Sequence, residues 1–401
     1  TIRALVQHDG MATPTRRTST STRHWPSTCL THWNGSWVYE ANRPPPYTTQ
    51  APAAISPNGH ANPQSRHILE SPMCKRQQSW KWRWRSRDRS CPFVQLSRTT
   101  LCTRLAGKRI LLYGDSLTQQ FFVSLATLAG RVEASWRPVG CERMRHLECV
   151  RVCGSHDDLD SAEVCQRTKF GLALDELPRR WPFNCSLQPS VVAPLHEKFL
   201  PSCLRRFDFV ILSEVAHWVG VDGALGLQAC LERKGHDAID AARLSQAFVT
   251  RLYERQMRRN ADYLRTMVTA DASDDDRQTR ILFRTSPPGY PTADLLSPDT
   301  QDGAPPIFTA PSQSVNWVHA LVAKGTSRYN HHLIPALNEI ARRAFTGSIS
   351  DAAVVGARVG VMDVEVPMMP RVDGHLDPLH YCLPGPADFY SEVLHNYVLS
   401  P

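Results

Sequence analysis

The stretch Ile110-Leu-Leu-Tyr-Gly-Asp-Ser-Leu117 decides the fold, because it joins a buried strand directly to a helix. Arg109–Tyr113 is the short, unbroken apolar run of a buried parallel strand, and Leu117–Ala129 continues at helical spacing. Gly114 permits the tight turn between them. In open α/β sheets ligands bind beyond the carboxyl ends of the strands, so Ser116 lies where a functional site is expected.

Three further apolar runs predict buried strands, and helical patterns lie between and after them. The predicted strands are Phe207–Leu212, Arg280–Phe283 and Arg358–Val364, and the predicted helices are Leu244–Met267, Ser327–Phe345 and Asp388–Leu399. Strands that alternate with helices are typical of a parallel sheet flanked by helices, so the predicted fold class is α/β.

Length and composition predict one large globular domain with a smaller appendage. The chain has 401 residues, of which 42% are hydrophobic and 21% are charged, which suits this organisation. Residues 1–28 are polar and lack periodicity, so we expect a disordered tail or stalk. Residues 29–104 form a cysteine-rich segment that we expect to pack on the main domain, residues 105–401.

The net charge of +8, from 46 basic and 38 acidic residues, is compatible with an acidic polysaccharide, a nucleic acid or an anionic surface. No basic stripe with interleaved aromatic residues runs through the predicted elements, so we expect no nucleic-acid partner. In the run from Trp80 to Arg89, tryptophan alternates with lysine and arginine, which predicts a strand with one apolar face. Packing on the main domain is the favoured role of that face, and sugar stacking is the alternative.

The twelve cysteines are spread along the chain and include no Cys-x-x-Cys pair, so zinc-ribbon and thioredoxin-type sites lack their spacing. Four cysteines with two nearby histidines are compatible with a metal site: Cys141, Cys149, Cys153, Cys165, His146 and His156. Disulfides are favoured instead, because dispersed cysteines are typical of proteins in oxidising compartments. We therefore expect disulfides and no metal.

Two further features bear on the compartment. Asn34-Gly-Ser and Asn184-Cys-Ser fit the N-glycosylation sequon, in agreement with a luminal or secreted protein. No apolar run approaches the roughly 20 residues that span a bilayer. Since the sequence begins with Thr and shows no signal peptide, we expect a fragment whose leader or membrane anchor lies upstream.

A second pattern that carries chemistry lies near the C-terminus, in Leu376-Asp-Pro-Leu-His-Tyr381. A serine nucleophile needs a base near neutral pH, which His380 can supply, and Asp377 can orient that histidine. Asp115 and Ser116 are also compatible with a simple helix cap. The two patterns together favour a Ser116, His380 and Asp377 triad, with His375 in an exposed or helix-capping role.

Five blocks in order resemble the plant trichome-birefringence-like proteins and their algal and fungal relatives, the PC-esterase branch of the SGNH (GDSL-like) superfamily. They are Cys29-Leu-Thr-His-Trp-Asn-Gly-Ser-Trp-Val-Tyr-Glu40, Trp80-Lys-Trp-Arg-Trp84 before Cys91, Gly107-Lys-Arg-Ile-Leu-Leu-Tyr-Gly-Asp-Ser-Leu117, Arg284-Thr-Ser-Pro-Pro-Gly289, and Asp373-Gly-His375 followed by Asp377-Pro-Leu-His-Tyr-Cys-Leu-Pro-Gly385. The resemblance runs from about Cys29 to the C-terminus.

The resemblance implies an SGNH-type fold and acyl-group chemistry on carbohydrate hydroxyls. Ser116 would carry the acyl group, His380 would move the proton, and Asp377 would orient His380. The expected oxyanion and substrate residues are Gly114, Asp115, Ser213, His217, Trp218 and Arg284. We expect Arg284 to stabilise charge or bind substrate, with a structural ion pair as the alternative.

The stretch from Ser213 to Trp218 departs from another block of the family, which usually reads Asn-x-Gly-x-His-Trp. Here Ser213 stands for the asparagine and Val215 for the glycine. The change is compatible with a weaker oxyanion hole, a different acyl group or lost activity. His217 and Trp218 still follow a predicted strand, where they are expected to line a pocket.

The expected function is an O-acetyltransferase of the Golgi lumen or the secreted space that acts on a polysaccharide or glycan. The triad needs no cofactor, and the acetyl donor stays open. An acetyl esterase with the same residues is the nearest alternative, and a non-catalytic glycan-binding protein is the alternative of another class.

Overall fold

The computed structural model describes residues 29, 33–47, 79–133, 141, 147–154, 161–168, 180–181, 185–186, 203–220, 223–269, 279–287, 289, 331–346, 358–371, 374–377 and 379–399. The predicted tail 1–28, the Asn184 sequon, and His146 and His156 lie outside these residues.

The described residues contain the following strands: β1 (Gly35–Tyr39), β2 (Trp82–Ser86), β3 (Arg109–Gly114), β4 (Arg131–Glu133), β5 (Leu147–Val152), β6 (Ala162–Thr168), β7 (Arg180–Trp181), β8 (Cys185–Ser186), β9 (Phe209–Ser213), β10 (Arg280–Arg284) and β11 (Val359–Met362). The α-helices are α1 (Arg98–Leu105), α2 (Ser116–Ala129), α3 (Ala216–Val219), α4 (Ala224–Arg233), α5 (Ala238–Thr269), α6 (Ile334–Thr346), α7 (Glu365–Met368) and α8 (Asp388–Val393).

A seven-stranded mixed sheet organises the described part of the chain, in the order β11-β10-β9-β3-β6-β5-β4. Strands β11, β10, β9, β3 and β6 run parallel, and β5 and β4 complete one edge in antiparallel pairing. The predicted α/β class and the four predicted strands are therefore confirmed. Strands β4, β5 and β6 were not predicted, because β5 and β6 alternate charged or polar residues with apolar ones.

Helices cover both faces of the sheet. Alternate side chains of β3 enter different cores: Leu111 and Tyr113 pack with α4, α5 and α6, whereas Ile110 and Leu112 pack with α1, α2 and α8. This alternation follows from the two-residue period of a strand, and it buries β3 on both faces. The last predicted helix differs in form, since α8 ends at Val393 and Leu394–Val398 continues as a π-helix.

The aromatic face of the N-terminal segment packs against the C-terminal helix. Strands β1 and β2 pair antiparallel, and the rings of Trp33, Trp37 and Trp84 lie 5.1–6.0 Å from that of Phe389. Trp37 also donates an indole hydrogen bond of 2.6 Å to the carbonyl of Pro367. The strand and the packing predicted for this run are both present.

Disulfides cross-link the described part of the chain. The pairs are Cys29–Cys91, Cys102–Cys153, Cys141–Cys203, Cys149–Cys165 and Cys185–Cys230. The four cysteines compatible with a metal site are therefore all in disulfides, so their thiolates are not available as ligands. Among the described helices, none combines the length and apolar character needed to cross a bilayer. The disulfides fit a secreted or luminal protein.

Candidate active site

The turn from β3 into α2 requires glycine at position 114. A Cβ atom there would lie 2.0 Å from the carbonyl oxygen of Ser213 and 2.5 Å from Oγ1 of Thr118. The first contact arises because Gly114 and Ser213 are register partners on β3 and β9. Only a residue without a side chain allows β9 and the start of α2 to come this close.

The two polar residues after this glycine have separate roles. Asp115 is fully buried and caps α2, with Oδ1 accepting from the backbone N–H groups of Leu117 (3.1 Å) and Thr118 (3.3 Å). Ser116 is the first residue of the helix, so its own N–H has no acceptor within α2. The cap is therefore supplied by Asp115, which leaves both the hydroxyl and the N–H of Ser116 available for chemistry.

Three predicted side chains form one chain of hydrogen bonds. His380 Nε2 lies 2.6 Å from Oγ of Ser116, and His380 Nδ1 lies 2.6 Å from Oδ2 of Asp377. These residues are separated by 264 and 3 positions in the sequence, respectively. The arrangement connects a hydroxyl, a proton acceptor and an orienting carboxylate in series, and such a series is able to activate a serine as a nucleophile.

The Asp377 carboxylate is held in place by its own loop. Oδ1 accepts from the backbone N–H groups of Leu379 and His380, both at 2.8 Å. Burial opposes ionisation of Asp377, but the hydrogen bond and charge of His380 and the two backbone donors outweigh it. They hold the pKa of Asp377 well below its ordinary value. The carboxylate is thus ionised and fixes the His380 ring from one side.

A short hairpin carries this acid and base. His375 and Tyr381 form an antiparallel bridge, and Leu376 donates to the carbonyl of His380 at 2.8 Å. His375 is fully buried, with its ring 4.1 Å from that of Tyr381, so the prediction of an exposed or helix-capping residue is wrong. Burial lowers the pKa of His375 to about 3, and the side chain is neutral at the base of the hairpin.

The stretch from Ser213 to Trp218, which departs from the family pattern, lies beside the turn from β3 into α2, and its side chains have different surroundings. Ser213 is fully buried next to Gly114. Trp218 is only 2% exposed and packs edge-on against Tyr253 at 5.2 Å, so it belongs to the core and not to an open pocket wall. His217 is half-buried at the start of α3.

Arg284 ends β10 and is fully buried. Its guanidinium lies 3.4 Å from Oγ1 of Thr118 and 4.5 Å above the ring of Tyr390. These contacts place it beneath the first turn of α2. Within the described residues, Arg284 contacts hydroxyl, carbonyl and ring atoms, and the structural ion pair considered for it is not observed there.

Sequence reasoning missed Gln120, one turn after Ser116. It is fully buried, and its carboxamide bonds both backbone groups of Tyr381: Nε2 donates to the carbonyl at 2.5 Å, and Oε1 accepts from the N–H at 3.1 Å. The available signal was a polar side chain four residues after Ser116, on the same face of the helix, but other polar residues of this helix, such as Gln119 and Ser124, dilute that signal.

The residues that the structure describes include no cluster of three or more His, Cys, Asp or Glu side chains suited to a metal ion. Comparison of the sequence with protein-family models and with curated proteins found no match.

Proposed function

We propose that this chain is an acyltransferase that moves an acetyl group, through a Ser116 acyl-enzyme, onto a hydroxyl of a polysaccharide or glycan. The observation that carries the proposal is the chain of two 2.6 Å hydrogen bonds from Ser116 through His380 to Asp377. The acetyl group, the carbohydrate, the Golgi setting and the SGNH-type fold rest on the five sequence blocks that resemble the PC-esterase family.

The reaction has two half-reactions. In the first, Oγ of Ser116 attacks the carbonyl carbon of the donor, its proton passes to Nε2 of His380, and the donor's leaving group departs with that proton. In the second, the acceptor hydroxyl gives its proton to His380 and attacks the acyl carbon, and Ser116 regains its proton as the ester bond to it breaks. Asp377 keeps the ring of His380 oriented and stabilises its charged form.

Negative charge on the carbonyl oxygen needs hydrogen-bond donors. The N–H of Ser116 at the start of α2 is one such donor. Valine in place of glycine at position 215 is compatible with a second hydrogen-bond donor there, because a backbone N–H does not depend on the side chain. Val215 has a φ of −129°, and a negative φ does not require glycine.

The nearest alternative is an acetyl esterase, in which water takes the place of the sugar hydroxyl in the second half-reaction. A product assay separates the two: purified protein and Ser116→Ala are each incubated with an acetylated donor and a panel of glycans. Acetylated glycan that forms only with the wild type supports the transferase. Free acetate without acetylated glycan identifies the esterase, and absence of turnover in both proteins rejects the catalytic proposal in favour of a binding protein.

The acceptor is proposed to be acidic, since the net charge of the chain is +8. Retention on a uronate polymer at low salt, without retention on a neutral glucan, is the expected result. Failure to bind either polymer removes this part of the proposal.

A further inference from the structure

One buried side chain, that of Gln120, hydrogen-bonds the helix that carries Ser116 to the backbone of the hairpin that carries His380. Gln120 lies on α2 one turn after Ser116, and both of its hydrogen bonds go to Tyr381, the residue directly after His380. This contact therefore lies four residues after Ser116 on the helix and one residue after His380 on the hairpin.

The chemistry of the contact matches on both sides. A carboxamide has one acceptor and one donor group, and it satisfies the N–H and the C=O of one peptide residue together. Gln120 and Tyr381 are both fully buried, so water does not replace either bond. An apolar side chain of the same shape would leave two backbone groups of Tyr381 without these partners.

Tyr381 is also held from the hairpin side. It pairs with His375 across the hairpin, and the neighbouring bond from Leu376 to the carbonyl of His380 fixes the backbone of the base itself. Gln120 thus sets where the closed hairpin sits relative to α2, while the hairpin's own bonds set its internal shape.

We infer that Gln120 is the positioning residue that fixes the 2.6 Å contact between Ser116 and His380, through its paired hydrogen bonds to Tyr381. This inference rests on the proposed serine chemistry. Gln120 does not touch substrate; it holds the base at the distance from which it takes the proton. A displacement of about 1 Å at a reacting pair can cost on the order of a hundredfold in rate.

The chain offers a matched control. Asn338 of α6 is also fully buried, and its carboxamide likewise bonds both backbone groups of one residue, accepting from the N–H of Ser286 at 3.0 Å and donating to its carbonyl at 2.8 Å. It contacts neither α2 nor the hairpin through these bonds. Replacing each carboxamide with an apolar side chain of similar shape removes paired backbone hydrogen bonds at two places, and at Asn338 it also removes a hydrogen bond to Glu365.

The experiment measures the rate at which a fluorophosphonate labels Ser116 in wild type, Gln120→Met and Asn338→Leu, with the thermal unfolding of each recorded alongside. At a temperature where all three are folded, we expect Gln120→Met to react roughly ten- to a hundredfold more slowly and Asn338→Leu to react at the wild-type rate. Equal rates for Gln120→Met and wild type, or equal slowing of both variants, overturn the inference. Absence of labelling in the wild type rejects the proposed function itself, and the inference with it.

Gln120→Glu gives a second readout that does not depend on the fold of the methionine variant. A protonated carboxyl retains both bonds, because it donates to the carbonyl and accepts from the N–H of Tyr381, whereas the ionised form has no donor. The labelling rate relative to wild type should therefore be near one at acidic pH and fall as pH rises. A ratio that stays constant with pH contradicts a positioning role.

Discussion

Gly114 controls how closely the nucleophile turn approaches the neighbouring strand. Gly114→Ala should lower the free energy of unfolding by at least about 1–3 kcal/mol and slow the labelling of Ser116, because the new methyl would lie 2.0 Å from the carbonyl oxygen of Ser213. Gly360→Ala is the control in β11, where a Cβ atom meets only Leu282, at an ordinary 3.5 Å. Urea unfolding of both variants tests this, and equal stability losses would show that the close approach is not what requires Gly114.

In the proposed mechanism, Asp377 acts through the ring of His380. Asp377→Asn should reduce the labelling rate of Ser116 on the order of 10⁴-fold at neutral pH, because an amide donor facing Nδ1 favours the wrong tautomer. The protein should remain folded, since the carboxylate is half exposed, at 44% of its side-chain surface. Circular dichroism checks the fold beside the rate, and a folded variant with the wild-type rate would contradict the orienting role.

At the scale of elements, helix α8 buries two acidic residues against the N-terminal segment. Burial raises the pKa of Glu392; Arg43 lowers it, and the nearby Asp388 raises it further. The folded pKa thus lies above the ordinary value of 4.5, so the native state binds more protons than the unfolded chain in the window just above 4.5. The contribution of Glu392 to the stability of the fold is complete below its ordinary pKa and is lost as pH rises through its folded pKa.

Glu392→Gln should therefore weaken the fall in melting temperature between about pH 4.5 and neutral pH, because an amide does not titrate. Glu232→Gln, at an exposed position of α4, should follow the wild-type curve. Thermal unfolding across this range measures both, and a Glu392→Gln curve parallel to that of the wild type would count against the burial of a titrating carboxyl.

The elements also show what a single sequence can and cannot predict. Strands such as β3 and β9 are continuous apolar runs, so their burial on both faces is visible in the sequence. Strands β5 and β6 alternate in polarity, and their pairing through opposed Cys149 and Cys165 depends on tertiary structure.

The same difference applies at the candidate site. The contacts among Ser116, His380 and Asp377 could be predicted, because the proposed serine chemistry requires these residue types. The contact of Gln120 with Tyr381 spans 261 positions and involves a backbone partner, which carries no residue-type signature. The buried state of His375 likewise comes from its bridge to Tyr381, a contact that depends on how the loop closes.

At the scale of the whole molecule, the N-terminal segment is part of the core around α8. Trp84→Ala should destabilise the protein by about 3–5 kcal/mol, because Trp84 is 5% exposed and packs with Phe389. Tyr39→Ala, on the same two-stranded sheet but 47% exposed, should cost roughly 0.2–1 kcal/mol. Denaturant unfolding compares the two variants, and similar losses would mean that the segment is an independent surface attachment.

The same segment reaches the base of the hairpin that carries Asp377 and His380. Arg371 is buried, donates to the backbone carbonyl of Ser79 at 2.8 Å and stacks on Trp37 at 4.2 Å. A Cβ atom on Gly374, at the start of the hairpin, would lie 2.6 Å from Oγ of Ser79. The segment therefore contacts the hairpin closely at this glycine, and loosening the segment should also slow the labelling of Ser116.

The central claim is that Ser116 is an activated nucleophile, and peptide mapping after fluorophosphonate treatment tests it most directly. The native wild-type protein should carry one label, on the peptide that contains Ser116, and heat-denatured protein and His380→Ala should carry none. A folded wild-type protein that stays unlabelled, or that carries its label on another serine, would contradict the claim.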